Sequence, residues 1–291
     1  MSGVILDYEH FAIHDGPGIR TVVFLKGCPL RCIWCHTPDS QAKFPELACK
    51  SERCLHCGCC GGLSGQLPVV NPDESQLDAV SHCPVRALEC RGKVVSAEEV
   101  IAEAAKDMCF YQESGGGLTI SGGEPLFQPE FTREIVHLAD AKGIRCCIES
   151  CGWGDYKHLQ SFIPYTEAFL FDWKVSDPEL HRRLTGADNL LIRENLCKLN
   201  ADGAAIFLRC PLVPGINDQD EHLDTIARLA EELTNVKAIH IEPYHPMARG
   251  KYLELNRIFD PQLPEGFPPA ELIDHYISYI GQRCSKPVLL P

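Results

Sequence analysis

Six short apolar runs spaced along the chain constrain its fold more than any other feature. They are Thr21 to Leu25, Gly117 to Ser121, Arg145 to Glu149, Ala168 to Trp173, Ala205 to Cys210 and Lys237 to Glu242. Amphipathic stretches lie between them and read as helices. These are Ala97 to Met108 with Ser96 as N-cap, Glu130 to Lys142 stopped by Gly143, Pro178 to Leu184, and Asp218 to Leu233 with acidic residues in its first turn. Pro269 to Arg283 supplies a last helix and Val288 to Leu290 an edge strand. Strand–helix alternation of this kind predicts right-handed βαβ units around a parallel sheet, an α/β fold. Eight strands would close a barrel; six predict a partial (β/α)6 TIM-type barrel. Chemistry in such folds collects at the C-terminal ends of the strands.

The first run delivers its end into Cys28-Pro-Leu-Arg-Cys32-Ile-Trp34-Cys35-His36, after a turn at Asp15-Gly-Pro-Gly18. Three thiolates spaced C-x3-C-x2-C can hold three irons of a cubane [4Fe–4S] cluster. The fourth iron then has no protein thiolate, and an open position marks a catalytic metal rather than a structural one. The chain has 17 cysteines in 291 residues. No basic flank and apolar core opens the sequence, and no uncharged run could span a bilayer, so the expected location is cytoplasmic, away from membranes. In a reducing cytosol, cluster or metal ligation explains so many cysteines better than disulfides do. A net charge of -13 argues against a nucleic-acid partner, which would need a basic face.

The other strand ends are equally polar. The second run leads into Ser121-Gly122-Gly123-Glu124-Pro125, where two glycines permit close backbone approach and Glu124 adds a carboxylate. The third ends in Glu149-Ser150-Cys151. The fourth reaches Asp172-Trp173-Lys174, whose two charges share one face of an extended segment. Arg209 lies in the fifth, and the sixth leads to Pro243-Tyr244-His245. Taken singly, each has a plainer reading: a flexible turn, a surface ion pair of little worth, a loop histidine. Their common position at strand ends singles them out.

With these residues in view, the chain resembles a radical S-adenosylmethionine enzyme, specifically a glycyl-radical-enzyme activating enzyme of the pyruvate formate-lyase-activating type. The resemblance rests on the cysteine loop with Trp34, on Asp15-Gly-Pro-Gly-Ile-Arg20, Ser121-Gly-Gly-Glu-Pro125, Asp172-x-Lys174 with His181 and Thr185-Gly186, Arg209-x-Pro-Leu-Val-Pro-Gly215, and Pro243-Tyr-His245. It spans nearly the whole chain. It implies a [4Fe–4S] cluster on Cys28, Cys32 and Cys35 whose open iron chelates S-adenosylmethionine. One electron, from flavodoxin or ferredoxin, then yields a 5′-deoxyadenosyl radical that takes hydrogen from a glycine of a partner glycyl radical enzyme. It places Gly122, Gly123 and Glu124 against the cofactor's amino group, and Lys174 and His245 against its carboxylate. Asp172, flanked by Trp173, binds ribose or a monovalent cation, with Glu149 and Ser150 near that cation. Trp34 and His36 line the adenine side, and Arg209 joins the same cofactor-binding set. Two departures stand out: relatives tend to carry Asp-Thr where this chain has Glu149-Ser150, and His-Asn-Pro where it has His36-Thr37-Pro38.

Residues 49–92 differ in character from the barrel segments 1–48 and 93–291. They hold seven cysteines, scattered glycine and proline, and little helical periodicity, which predicts an inserted subdomain. The resemblance implies a ferredoxin-like insert. Cys54-x2-Cys57-x2-Cys60 is similar to a ferredoxin run and Cys83-Pro84 to its ending, which assigns one auxiliary [4Fe–4S] cluster to those four cysteines. A zinc ion on the same thiolates is the rival. Cys49, Cys59 and Cys90 are left over. The remaining cysteines, from Cys109 to Cys284, read as small buried apolar residues, Cys151 being the one nearest the predicted chemistry. Two other functions stay open: radical chemistry on a small molecule, against which the lack of an extended C-terminal substrate domain counts, and a purely structural or electron-transfer iron–sulfur or zinc protein.

Overall fold

The structure is a computed structural model that describes residues 1–291. A strand absent from the six predicted runs begins it: β1 (Ser2–Ala12) lies antiparallel to β2 (Arg20–Leu25). After β2 the chain makes an excursion through β3 (Glu46–Cys49), α1 (Glu74–Ser81) and β4 (Leu88–Arg91), in which β3 and β4 pair antiparallel. It returns as β5 (Lys93–Ser96), paired with the start of β1. Then follow α2 (Ala97–Ala104), α3 (Met108–Ser114), β6 (Gly117–Gly122), α4 (Pro129–Ala141), β7 (Arg145–Ser150), α5 (Tyr156–Phe162) and β8 (Ala168–Asp172). The last third contains α6 (Pro178–Thr185), α7 (Leu190–Ala201), β9 (Ile206–Leu212), α8 (Asp220–Glu232), β10 (Val236–Pro243), α9 (Arg249–Glu254), α10 (Ala270–Gly281) and β11 (Val288–Leu289).

β2, β6, β7, β8, β9 and β10 are parallel neighbours in chain order, so the six predicted runs form one α/β sheet. The predicted edge strand, β11, extends it beside β10, while β1 and β5 form the opposite edge. A flat sheet would hold β2 and β10 roughly 24 Å apart, five spacings of about 4.8 Å. Instead His36, which follows β2, stacks on His245, which follows β10, with ring centroids 3.9 Å apart. Arg209 in β9 also lies 3.3 Å from Asp15, just before β2, so the sheet curls into a partial barrel that stays open between its β5–β1 edge and its β11–β10 edge. Its strands are mostly apolar because helices cover one face and the curled interior the other, with the charged residues concentrated toward the interior and the strand ends. Phe169, Leu170 and Phe171 of β8 are all buried.

Local chemistry fixes the helix ends. Ser96 caps α2 in a capping box, accepting from the Glu99 amide while the Glu99 carboxylate accepts from its own. The expected helix from Ala97 to Met108 breaks at Ala105–Asp107, where Asp107 instead accepts a hydrogen bond from Thr21 Oγ1 at 2.6 Å. Asp177 caps α6, Pro178 opens it and Gly186, at φ +92°, ends it. Among the cysteines expected to be buried, Cys146, Cys147, Cys151 and Cys210 are. Cys109 and Cys197 are exposed, because each falls on the solvent side of its helix.

The excursion has its own small core of Leu47, Leu63, Leu67 and Leu88, and its pairing begins at Glu46 rather than at 49. Glu46 is fully buried between Lys26 at 3.2 Å and Arg257 at 2.5 Å, which ties the excursion to the end of β2 and to the segment after α9. Burial pushes Lys26 down and Glu46 up, each opposed by the other's charge. No helix is long and apolar enough to cross a membrane.

Candidate functional site

The C-terminal ends of the six parallel strands surround a cavity of about 430 Å3. Cys28, Cys32 and Cys35 line it together with Gly122, Gly123, Glu149, Ser150, Asp172, Lys174, Arg209 and His245. Trp34 and His36 line it as well. These predicted residues come from six different strands or the loops that follow them, so the fold gathers what the sequence scatters.

The cysteine loop is held by its backbone. Arg31 and Ile33 donate to the Thr185 and Leu184 carbonyls at 2.6 and 3.0 Å, and Gly27 and Cys28 donate to Ser40 and Gln41. His181 in turn contacts the Ala187 carbonyl and Thr185 Oγ1, which fixes the end of α6. That is the physical role of His181 and Thr185-Gly186: they clamp the loop. Beneath it Trp34 packs with Val175, Leu184, Val213 and Tyr244.

Gly122 and Gly123 line the cavity, and their lack of a side chain also allows close backbone packing. A Cβ at Gly122 would meet the Leu25 backbone at 2.3 Å, and one at Gly123 the Gly27 carbonyl at 2.3 Å. The glycines let this turn lie against the backbone that leads into Cys28. Glu124 does not line the cavity; its carboxylate accepts from Ser150 Oγ at 2.7 Å, the Cys151 amide at 2.8 Å and the Leu126 amide at 3.0 Å. Burial pushes its carboxyl up, and these donors oppose the shift. Trp173 also faces away: its ring lies in the main core, with Nε1 donating to Ser176 Oγ at 3.0 Å. Asp172 and Lys174 share the inward face, and strand alternation sends Trp173 to the other.

Opposite charges fill the cavity. Lys174 donates to Asp172 at 2.7 Å. Burial lowers the Lys174 pKa, but Asp172 and the nearby Cys32 outweigh it and hold the ammonium well above its ordinary range. Arg209 sits among Glu242 at 2.8 Å, Asp15 at 3.3 Å and Glu149 at 3.5 Å. Asp15 and Glu242 are site residues that the sequence reading does not assign. Asp15 reaches the interior from the turn before β2, and a lone carboxylate ending the run Ala-Ile-His-Ile-Glu242 is the available signal for the other. Burial pushes Glu149 up to about 7, with Arg209 pulling it down and Asp172 and Asp15 pushing it further up.

That shift gives a testable pH dependence. Against an unfolded value of 4.5, a raised folded value means the native state holds the proton more tightly. The resulting stability is present below about pH 4.5 and lost as pH rises through about 7. Glu149→Gln should flatten the fall in urea-unfolding free energy between pH 5 and 8 by on the order of 2 kcal/mol. An unchanged pH profile would assign the fall to other groups.

The cavity brings three thiols together with polar side chains. Burial raises the thiols of Cys28, Cys32 and Cys35, that of Cys32 to about 12, and the charge of neighbouring cysteines pushes Cys28 and Cys32 further up. Three mutually repelling thiolates need a multivalent cation to be ionised there. His36 Nε2 and His245 Nδ1 are buried without hydrogen-bond partners. Burial drops the His36 pKa to about 4 and lowers His245, so both rings are neutral. A carboxylate- and amine-bearing ligand would find an ammonium, carboxylates and free ring nitrogens within one wall.

Known proteins show similarity at the level of family and fold. The family model of the radical SAM superfamily matches residues 22–230. The chain is 36% identical to the isethionate sulfite-lyase activating enzyme of Nitratidesulfovibrio vulgaris, over 88% of each chain. It is 33% identical to the trans-4-hydroxy-L-proline dehydratase activating enzyme of Clostridioides difficile, over 89% of this chain and 90% of that one. Among solved structures, a domain of pyruvate-formate lyase-activating enzyme from Bacteroides vulgatus superposes with a TM-score of 0.51 at 22% identity, covering 61% of this chain and 99% of that domain; this likeness concerns the fold.

Proposed function

The chain belongs to the radical SAM superfamily and, within it, to the activating enzymes of glycyl radical enzymes, and on that premise we propose which residues carry each part of the activity. In this family a [4Fe–4S] cluster and S-adenosylmethionine, when bound, supply a 5′-deoxyadenosyl radical that removes hydrogen from a glycine of the partner enzyme. Cys28, Cys32 and Cys35 would hold the cluster and leave one iron for the cofactor. Lys174, kept charged by Asp172, and His245 would take the cofactor's carboxylate. The Gly122–Gly123 backbone would take its amino group, with Glu124 a positioning residue that braces the turn through Ser150 and Cys151. Trp34 and the neutral His36 would face the adenine. Glu149, Ser150 and Asp172 offer the oxygen ligands a monovalent cation requires, and Arg209 holds the surrounding carboxylates in place. The convergence of three thiols, an ammonium and two unpaired imidazoles on one cavity carries this reading.

The insert is proposed to hold an auxiliary [4Fe–4S] cluster and to receive electrons from flavodoxin or ferredoxin. Cys54, Cys57, Cys60 and Cys83 line a second cavity of about 270 Å3. Backbone amides lower the Cys60 and Cys83 pKa values, led by Ser64 and by Leu88 respectively, which favours the thiolate form a cluster needs. Cys49 lies buried beside Cys54, closer to this cavity than its place among the leftover cysteines implies.

Anaerobically reconstituted protein should bind about eight irons, two cubanes' worth, and release 5′-deoxyadenosine from S-adenosylmethionine with dithionite. Cys57→Ala should fall to about four irons yet keep that cleavage, since its thiol belongs to the second cavity. Stoichiometric zinc with no cleavage in the parent protein would overturn the assignment.

A further inference from the structure

The barrel's open side carries a strand edge with nothing on it. β1 pairs with β2 from Ile5 opposite Leu25 to Ala12 opposite Arg20, with register shifts between Ile5 and Asp7 and between Glu9 and Ala12. On its other edge β5 covers only Ser2 to Ile5, because the chain returning from the insert joins at Gly92 and Lys93. From Leu6 to Ala12 the outer edge therefore has no strand, and the backbone there makes no hydrogen bond to any loop or side chain. Unpaired edge amides and carbonyls are a ready template for another strand.

A groove of about 860 Å3 runs beside this edge. Leu6, Asp7, Tyr8 and Glu9 all line it. The register shift at Leu6 interrupts the alternation of side chains, so these four consecutive residues border the groove along the strand's outer edge. Met247 and Lys251, beyond β10, form the opposite wall, and Arg91 from the insert closes one end. At the other end the groove runs into the catalytic cavity, sharing Glu9, Phe24, His36, Thr37 and His245 with it.

We propose that the Leu6–Ala12 edge of β1 is the docking track for the protein substrate: the glycine-bearing segment of the partner binds there as an added antiparallel or parallel strand, which leads its glycine past Glu9 and His36 into the cavity. This rests on the reading of the chain as an activating enzyme. Backbone pairing explains how a residue with no side chain can be presented in register, since main-chain hydrogen bonds supply affinity and alternate pockets supply selectivity. A second copy of this chain is a poor occupant, because Asp7 and Glu9 would meet like charges on another β1. The span from Leu6 to Ala12 is roughly 20 Å, enough for an extended segment of about six or seven residues. The insert then has a second use: by returning the chain so that β5 starts only at Lys93 it leaves the edge free, and by supplying Arg91 it borders the track.

The test uses cluster-loaded enzyme and synthetic peptides of about 15 residues centred on the radical glycine of the enzymes activated by its relatives, isethionate sulfite-lyase and trans-4-hydroxy-L-proline dehydratase. Each peptide is made unmodified and with single backbone N-methyl groups. Binding is read by fluorescence anisotropy and by hydrogen–deuterium exchange. The expected result is slowed exchange at amides within Leu6–Ala12, and a tenfold or greater loss of affinity when N-methylation falls on every second residue but not on those between. Binding without protection of that segment, equal tolerance of methylation at all positions, or no binding by either peptide overturns the docking track. Release of 5′-deoxyadenosine without peptide is measured on the same preparation, so the track can fail while the family-level activity stands.

Discussion

Alanine at Cys32 should abolish reductive cleavage of S-adenosylmethionine, by at least about a thousandfold, and remove about four irons per chain. The loop around Cys32 owes its shape to backbone bonds from Arg31 and Ile33 to Thr185 and Leu184, so losing the thiol leaves it in place. What is lost is one of three donors in a cavity where burial already lifts the Cys32 thiol to about 12. Two thiolates cannot hold three irons while keeping the fourth open. Cys32→Ser should fare no better, because a hydroxyl resists ionisation there even more than a thiol does. The measurements are iron content, 5′-deoxyadenosine release under dithionite, and far-UV circular dichroism to confirm an unchanged fold. Cleavage surviving in a folded Cys32→Ala protein would remove the basis of the cluster assignment, whereas Cys57→Ala tests only the insert.

The barrel is legible in the sequence because its strands are covered on both faces. In β8, consecutive buried residues such as Phe169, Leu170 and Phe171 cannot be mistaken for a half-exposed strand. The run then leads to Asp172, a polar residue that lines the cavity, as the neighbouring runs lead to theirs. β1 escapes such a reading although Asp7-Tyr-Glu-His-Phe11 alternates, because its burial is weak and a conspicuous turn follows it. α7 carries Ile192, Leu196 and Leu199 on one buried face, a helical spacing that is present in the sequence but short of strong caps. The orientation of Trp173 follows from the same alternation that places Asp172 and Lys174 together. Glu124 is another matter. That its carboxylate turns to Ser150 and Cys151 depends on how β6 and β7 lie side by side, a long-range fact that no local pattern carries. The same holds for Arg209, whose carboxylate partners come from three distant segments.

Arg20→Ala should cost on the order of 3–5 kcal/mol of stability. Arg20 is completely buried. Its Nε donates to Thr119 Oγ1 at 2.6 Å, Nη1 to the Pro17 carbonyl at 2.9 Å, and Nη2 to the Leu118 and Arg145 carbonyls at 2.8 and 3.2 Å. Glu167 lies 3.7 Å away as counter-charge. One guanidinium thus joins β2 to β6 and β7 and holds the Asp15-Gly-Pro-Gly turn, where Gly16 at φ +121° passes close to the Arg20 side chain. Truncation strands four acceptors and leaves Glu167 without its buried partner, while lysine cannot reproduce the planar fork and should recover only part of the loss. At about 2–4 °C per kcal/mol for a chain approaching this size, the melting temperature should drop by roughly 10 °C. The damage should also reach the site, because the freed turn carries Asp15 away from Arg209. Urea unfolding and a thermal melt on the iron-loaded protein, followed by the cleavage assay below the melting point, measure both effects. A shift under about 1 kcal/mol would mean that water replaces the guanidinium at those carbonyls and that the motif's arginine acts elsewhere.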